Sequence, residues 1–281
     1  MDGQKQKVGE NGIALQAGGN INYGMSYTEV KDLVFRLFEQ NFPKLAESAA
    51  EKATQNIKDY IEKLEARLKR DADKIDFNKF SDPNIQYLLN STIQNYARKG
   101  NAVNMDFLMD AFLLVVNKES TSLLDIVSEQ VISVLPRMTK DCVDVLTIIQ
   151  YIYGIKIDAL SSIEMSEPYS KKVCDSLNSS DVYNIQTVPY LISLGATTHG
   201  VLARDPYKGV GSQYQEFSSV LEEKEWKEKV QNNCPYLSKL IEVLQSRHLS
   251  ALILTPMGQL IALMNLKSIL QMDIDYKIWV K

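Results

Sequence analysis

The sequence predicts a mainly α protein: a helical N-terminal region and bundle followed by a small winged-helix-like α+β domain at the C-terminus. Three observations carry this. Apolar residues recur at helical spacing from Val30 to Ile152. Caps and first-turn prolines precede those stripes at Ser26, Asp82-Pro83 and Thr139. After the first 25 residues, short alternating runs, the mark of strands, come only in the last hundred residues. With 281 residues, 45% apolar and 23% charged, the chain is long enough for a sizeable core and unlike a disordered polymer. The expected divisions are 1–25, a Gly/Asn-rich segment; 26–80, long helices; 81–155, a helical bundle; 156–180, a linker; and 181–281, the winged-helix-like domain.

Six of the 13 glycines fall in the first 25 residues. Ile13, Leu15 and Ala17 alternate with polar or small residues, and the amides Gln16, Asn20 and Asn22 lie among Gly18, Gly19 and Gly24. Two readings stand: a flexible tail, or a β-segment that pairs with a copy of itself through stacked amides and close glycine backbones. Ser26 and Glu29 have capping-box spacing and open a helix carrying Val30, Leu33, Val34, Leu37 and Phe38, ended or kinked at Pro43. From Lys44 to about Lys74, Ile57, Ile61, Leu64 and Leu68 form a narrow coiled-coil-like seam. Residues 39–79 hold nine acids and nine bases, so this helix is zwitterionic. Its seam fits either an intramolecular neighbour or self-association.

Four shorter helices are expected next. Ile85 to Tyr96 follows Asp82-Pro83, and Met105 to Val116 makes the second. The third runs from Leu123 to Leu135, includes Ile126, and stops at Pro136. The fourth is capped by Thr139, carries Val143, Leu146, Ile149 and Ile152, and ends at Gly154. Beyond the linker, a helix from Asp181 bends at Pro189 and ends at Gly195; ATTHGVLA reads as extended, and residues 205–215 as a polar loop. Helical material covers about 217–248. Ala251 to Leu254 reads as a strand, with Thr255 as N-cap, Pro256 as first helical residue and Gly258 placed for close approach to a neighbour. Ile274, Tyr276, Ile278 and Val280 alternate as a last strand.

Catalytic signatures are missing. The two histidines, His199 and His248, have no metal-ligand spacing, and no nucleophile elbow, Walker A or dinucleotide fingerprint occurs. Gly209-Val210-Gly211-Ser212 lacks the Gly-Lys-Ser/Thr of a phosphate loop. The expectation is a non-enzymatic protein without a cofactor or metal. Cys142, Cys174 and Cys234 are odd in number and widely spaced, which fits a reducing cytoplasm. The N-terminus has no apolar signal region, and the Phe107–Val116 stretch, interrupted by Asp110, is too short for a membrane span. Net charge is −4, and residues 181–281 hold ten acids and ten bases, so charge gives nucleic-acid binding no support.

Two stretches resemble known families. Residues Gln16 to Glu47, QAGGNINYGMSYTEVKDLVFRLFEQNFPKLAE, resemble the N-terminus of an uncharacterised bacterial family with a Gln/Gly/Asn segment before a capped helix. LISLGATTHGVLA, from Leu191, and LILTPMGQLIALMNL, from Leu252, look like the paired closing elements of abortive-infection alpha (Abi-alpha) type proteins. That resemblance implies a bacterial cytosolic protein used against phage, and no catalytic residue carries over with it. The leading expectation is a non-enzymatic, self-associating component of antiviral defence, with itself as first partner and a phage component or a co-encoded defence protein as others. The alternatives are a winged-helix transcriptional regulator and an enzyme with an unfamiliar site. Candidate self-association residues are Gln16, Gly18, Gly19, Asn20, Asn22, Gly24, Ile57, Ile61, Leu64 and Leu68; candidate structural residues are Ser26, Glu29, Gly195, Thr255, Pro256 and Gly258.

Overall fold

The structure, a computed structural model, describes residues 25–41, 47–100, 105–155, 157, 160–177, 186–214, 223–246, 248–274 and 276. Among these, twelve α-helices surround one two-stranded sheet, so the fold is mainly α. The capping box forms as its spacing requires: the Ser26 amide donates to Glu29 Oε2 at 2.6 Å and the Glu29 amide to Ser26 Oγ at 3.3 Å. It opens α1 (Tyr27–Asn41), followed by α2 (Glu47–Arg70) and α3 (Pro83–Lys99).

These three helices pack together, and the α2 seam is what they share. Ile57, Ile61, Leu64 and Leu68 are all buried. This corrects the self-association reading of the seam. Each fully covered Ile or Leu is worth about 1.5–3 kcal/mol to the monomer, so the stripe is not available to a second copy. The Tyr60 hydroxyl, pushed up to about 12 by burial, shares a hydrogen bond with Thr92 Oγ1 at 3.1 Å. An aromatic ladder continues the layer: Tyr27 meets Phe77 edge-on at 5.4 Å, Phe77 stacks on Phe80, and Phe80 meets Phe112.

Next come α4 (Met105–Val115), α5 (Ser122–Val134) and α6 (Lys140–Tyr153), with Thr121 and Thr139 as N-caps and Gly154 closing α6. Every residue of α6 from Cys142 to Ile152 is buried, which the sequence pattern alone would assign to an ordinary amphipathic helix. The reason lies far along the chain. The last helix, here α12 (Pro256–Leu270), is apolar all round and makes its most extensive contact with α6. It also packs on α4, α5 and α7 (Glu167–Ser176). Asn265 Nδ2 donates to Thr147 Oγ1 at 2.8 Å, and that hydroxyl donates to the Val143 carbonyl at 2.7 Å, fixing the register between α6 and α12.

The last helix therefore packs directly against α4, α5, α6 and α7 of the bundle. Three further expectations change. Residues 156–180 are no plain linker, because α7 buries Val173 and joins α6 through the Tyr151–Ser170 hydroxyl pair at 2.9 Å. The expected polar loop at 205–215 contains α9 (Pro206–Gly211), capped by the Asp205 carboxylate on the Tyr207 amide at 2.8 Å. Its Tyr207 carbonyl accepts from Nε1 of Trp226, the largest fully buried side chain among the described residues. The described residues within 217–248 form two helices, α10 (Glu223–Asn233) and α11 (Pro235–Ser246), divided at buried Cys234.

The sheet pairs β1 (Thr197–His199) with β2 (Leu252–Leu254), antiparallel. β1 follows α8 (Thr187–Ser193), in which Pro189 sits in the first turn and so bends nothing; Asp181 lies outside the described residues. β2 runs straight into α12, and the described residues hold no second strand after it to form a wing. Of the expected last strand, only Ile274 and Tyr276 are described. Among the described residues no helix is long and apolar enough to cross a membrane.

One ionic clasp carries a pH prediction. Glu164 accepts from Asn233 Nδ2 at 3.1 Å and lies 3.3 Å from Lys229 Nζ. Burial would raise its carboxyl, yet bonds from its own amide, Asn233, Ser162 and Lys229 outweigh that and hold it at about 2. A folded-state value below the unfolded 4.5 stabilises the fold above pH 4.5, and the contribution is lost as pH falls from there towards 2. Glu164→Gln should flatten that part of the stability–pH curve in urea titrations; an unchanged curve would contradict the clasp.

Candidate functional site

Two glycines and a threonine, distant in sequence, meet at one junction. Gly195, at φ +73°, ends α8 and turns the chain into β1, a backbone state that glycine adopts without strain. The Thr255 hydroxyl donates to the Gly195 carbonyl at 2.7 Å and accepts from the Gly258 amide at 3.3 Å as the N-cap of α12. The Thr255 amide reaches the Ala196 carbonyl at 3.1 Å. A side chain at Gly258 has no room, because its Cβ would fall 2.0 Å from Ala196 O. Pro256 takes the first helical position. The cap and the close approach that the strand-Thr-Pro-x-Gly-helix order predicts are both present.

This junction borders a cleft of about 840 Å³. Leu194, Gly195 and Met257 line it together with α3 and α5. Each end is bridged. At one end Asn84 Nδ2 donates to Glu129 Oε1 at 2.6 Å; at the other Lys99 Nζ donates to the Pro136 carbonyl. Between them the lining mixes amides and hydroxyls, from Ser91, Asn95, Gln130 and Ser133, with apolar Leu88, Ile126, Ile132 and Val134. Arg98 and Arg137 join Lys99 and make its end cationic. On the rim Tyr87 is 70% exposed and Ile126 54%, and Leu123 beside Ile126 on α5 is 48% exposed.

Those exposed residues correct the reading of α5. Seven apolar positions cannot all face one way on a helix: Leu124, Val127, Val131 and Ile132 point inward, while Leu123 and Ile126 are turned out. The excess of apolar residues over one stripe was the available signal for this surface. Tyr87 had no such signal. A volume of this size suits a ligand or an inserted segment, and a rim of exposed aromatic and branched side chains suits a protein partner.

The cleft holds no nucleophile–base pair. His199 lies on β1, His248 precedes the turn into β2 at φ 56°, and neither lines it. Cys142 and Cys234 are buried. Burial pushes the Cys174 thiol up to about 11, and its Sγ donates to the Tyr236 carbonyl at 3.3 Å. Among the described residues no three His, Cys, Asp or Glu side chains gather as a metal site would need. The candidate residues Gln16, Gly18, Gly19, Asn20, Asn22 and Gly24 lie outside the described residues.

The model of an uncharacterised family matches residues 24–217 and 197–280, which together run through nearly the whole described chain. No curated protein and no solved structure matches.

Proposed function

The chain belongs to that uncharacterised family, and on this premise we propose that it is a non-enzymatic, self-associating component of bacterial antiviral defence. In this reading the α3–α5 cleft receives residues 13–24 of a neighbouring copy. The observation that carries it is the cleft itself: a channel of mixed amide and apolar lining with Tyr87 and Ile126 exposed on its rim. Residues 13–24 offer the matching chemistry, being uncharged, with apolar Ile13, Leu15 and Ala17 and amides Gln16, Asn20 and Asn22. Residues 13–24 run directly into Met25, which packs on the core. Exchange of such a segment between copies is a low-cost route to a symmetric assembly. The role in defence rests on the resemblance of the 191–203 and 252–266 stretches to Abi-alpha type proteins, whose residues meet at the Gly195–Gly258 junction.

The test uses bacteria producing the full chain or its Tyr87→Glu/Ile126→Glu double variant, challenged with phage. Charge on two docking anchors should weaken association about 30-fold per anchor. The wild-type chain is expected to lower the plaque count, and the variant, folded and equally stable, to lose that effect. Protection that survives in the variant would remove the cleft from the account; no protection by the wild type would remove defence.

A further inference from the structure

A second cavity, independent of the α3–α5 cleft, lies where α6 faces β2. It is small, about 250 Å³, and is lined by Gln150, Tyr153, Arg204, Ile253 and Gln259 among others. Arg204 is half-buried there. Its guanidinium lies over the Tyr153 ring, 3.7 Å from the centroid, and one terminal nitrogen donates to the Leu252 carbonyl at 2.6 Å. Among the described residues its Nε is buried without a hydrogen-bond partner. Among the described residues Arg204 has no carboxylate partner: none lines the cavity, and the adjacent Asp205 carboxylate is taken up in capping α9. Burial pushes the guanidinium below its ordinary value, as expected for a cation without a counterion.

Gln150 adds a second unpartnered group. It is 5% exposed, it lines the cavity, and its carboxamide makes no hydrogen bond among the described residues. The absence of a side chain at Gly154 makes room for it, since a Cβ there would fall 2.4 Å from Gln150 Nε2. A half-buried cation whose Nε is covered and unpaired, set beside the Gln150 amide on one cavity, is costly unless something from outside completes it.

We propose that this cavity binds the oxyanion group of a small ligand, held by Arg204 and Gln150. The guanidinium supplies charge and a donor edge suited to a carboxylate or phosphate, and the amide a further donor. Ile149, Ile253 and Leu254 form an apolar wall that favours a short organic acid over a bare ion.

Thermal unfolding of the full chain tests this, in millimolar butyrate or inorganic phosphate against chloride at equal pH and ionic strength. A ligand that binds only the folded state raises the midpoint in step with its concentration. The wild-type midpoint is expected to rise with butyrate, and Arg204→Gln to show no rise. A rise with phosphate alone would identify a phosphate group as the source of the oxyanion. Should Arg204→Gln fail to fold, Gln259→Glu serves instead: a carboxylate on the cavity wall should raise the midpoint in chloride and abolish the response. No rise above chloride in the wild type, or an equal rise in the variants, would overturn the site.

Discussion

Gly258→Ala is expected to destabilise the protein by about 3 kcal/mol, at the upper end of overpacking costs, because the clash is with backbone. The added Cβ would fall 2.0 Å from the Ala196 carbonyl oxygen, which no rotamer change relieves. That carbonyl also accepts from the Thr255 amide and hydroxyl, both at 3.1 Å, so moving it loosens the N-terminus of the central helix. Gly195→Ala is the natural control. Space at Gly195 is open, with nothing within 4 Å of a Cβ, and only its φ of +73° opposes a side chain. Its cost should be about 1–2 kcal/mol from the left-handed backbone alone. Urea denaturation midpoints of the two variants check the difference. Equal losses would mean that the close approach at Gly258 does not govern the junction.

Arg67→Met is expected to cost about 2–3 kcal/mol, somewhat below the loss from breaking a wholly buried pair. Arg67 joins α2 to α4 by bonding Asp110 and, at 3.1 Å, Asp106. Burial pushes the Asp110 carboxyl up, and Arg67 draws it back only in part. Without Arg67 the carboxylate is left covered and unpaired. An acid raised in the folded state holds its proton there more tightly than in the unfolded chain, so the fold gains on the unfolded state as pH falls. The loss in Arg67→Met should therefore shrink on acidification towards the ordinary Asp range. A loss that stays constant with pH would place the effect in packing of the methylene stem instead.

Local signals were legible where the physics is local. Ser26 with Glu29, Thr139 with Gly154, and Thr255 with Pro256 mark helix ends that the structure places as their hydrogen bonds require. The close approach at Gly258 was legible too, since glycine inside an apolar helix has few other uses. What could not be read was which distant elements meet. The Ile57–Leu68 stripe has the same spacing whether it faces α1 and α3 or a second copy, and only the tertiary arrangement decides. α12 reads as the last helix of a separate unit because short alternating runs flank it. Its apolar residues on every face were the sign that it is enclosed by α4, α5, α6 and α7. The cleft is harder still, for it arises between helices, and Asn84, Glu129, Lys99 and Pro136 come together only when α3 and α5 are packed.

The claim that a segment of one copy docks in the α3–α5 cleft of another is tested most directly by mass in solution. Light scattering at micromolar concentration would compare the full chain, the chain lacking residues 1–24, and Ile126→Glu. The full chain is expected to exceed the 31.8 kDa of one copy, and both altered chains to fall to that value with helical content retained. A full chain that is already monomeric, or an assembly that keeps its mass without residues 1–24 and with Ile126→Glu, would contradict the account.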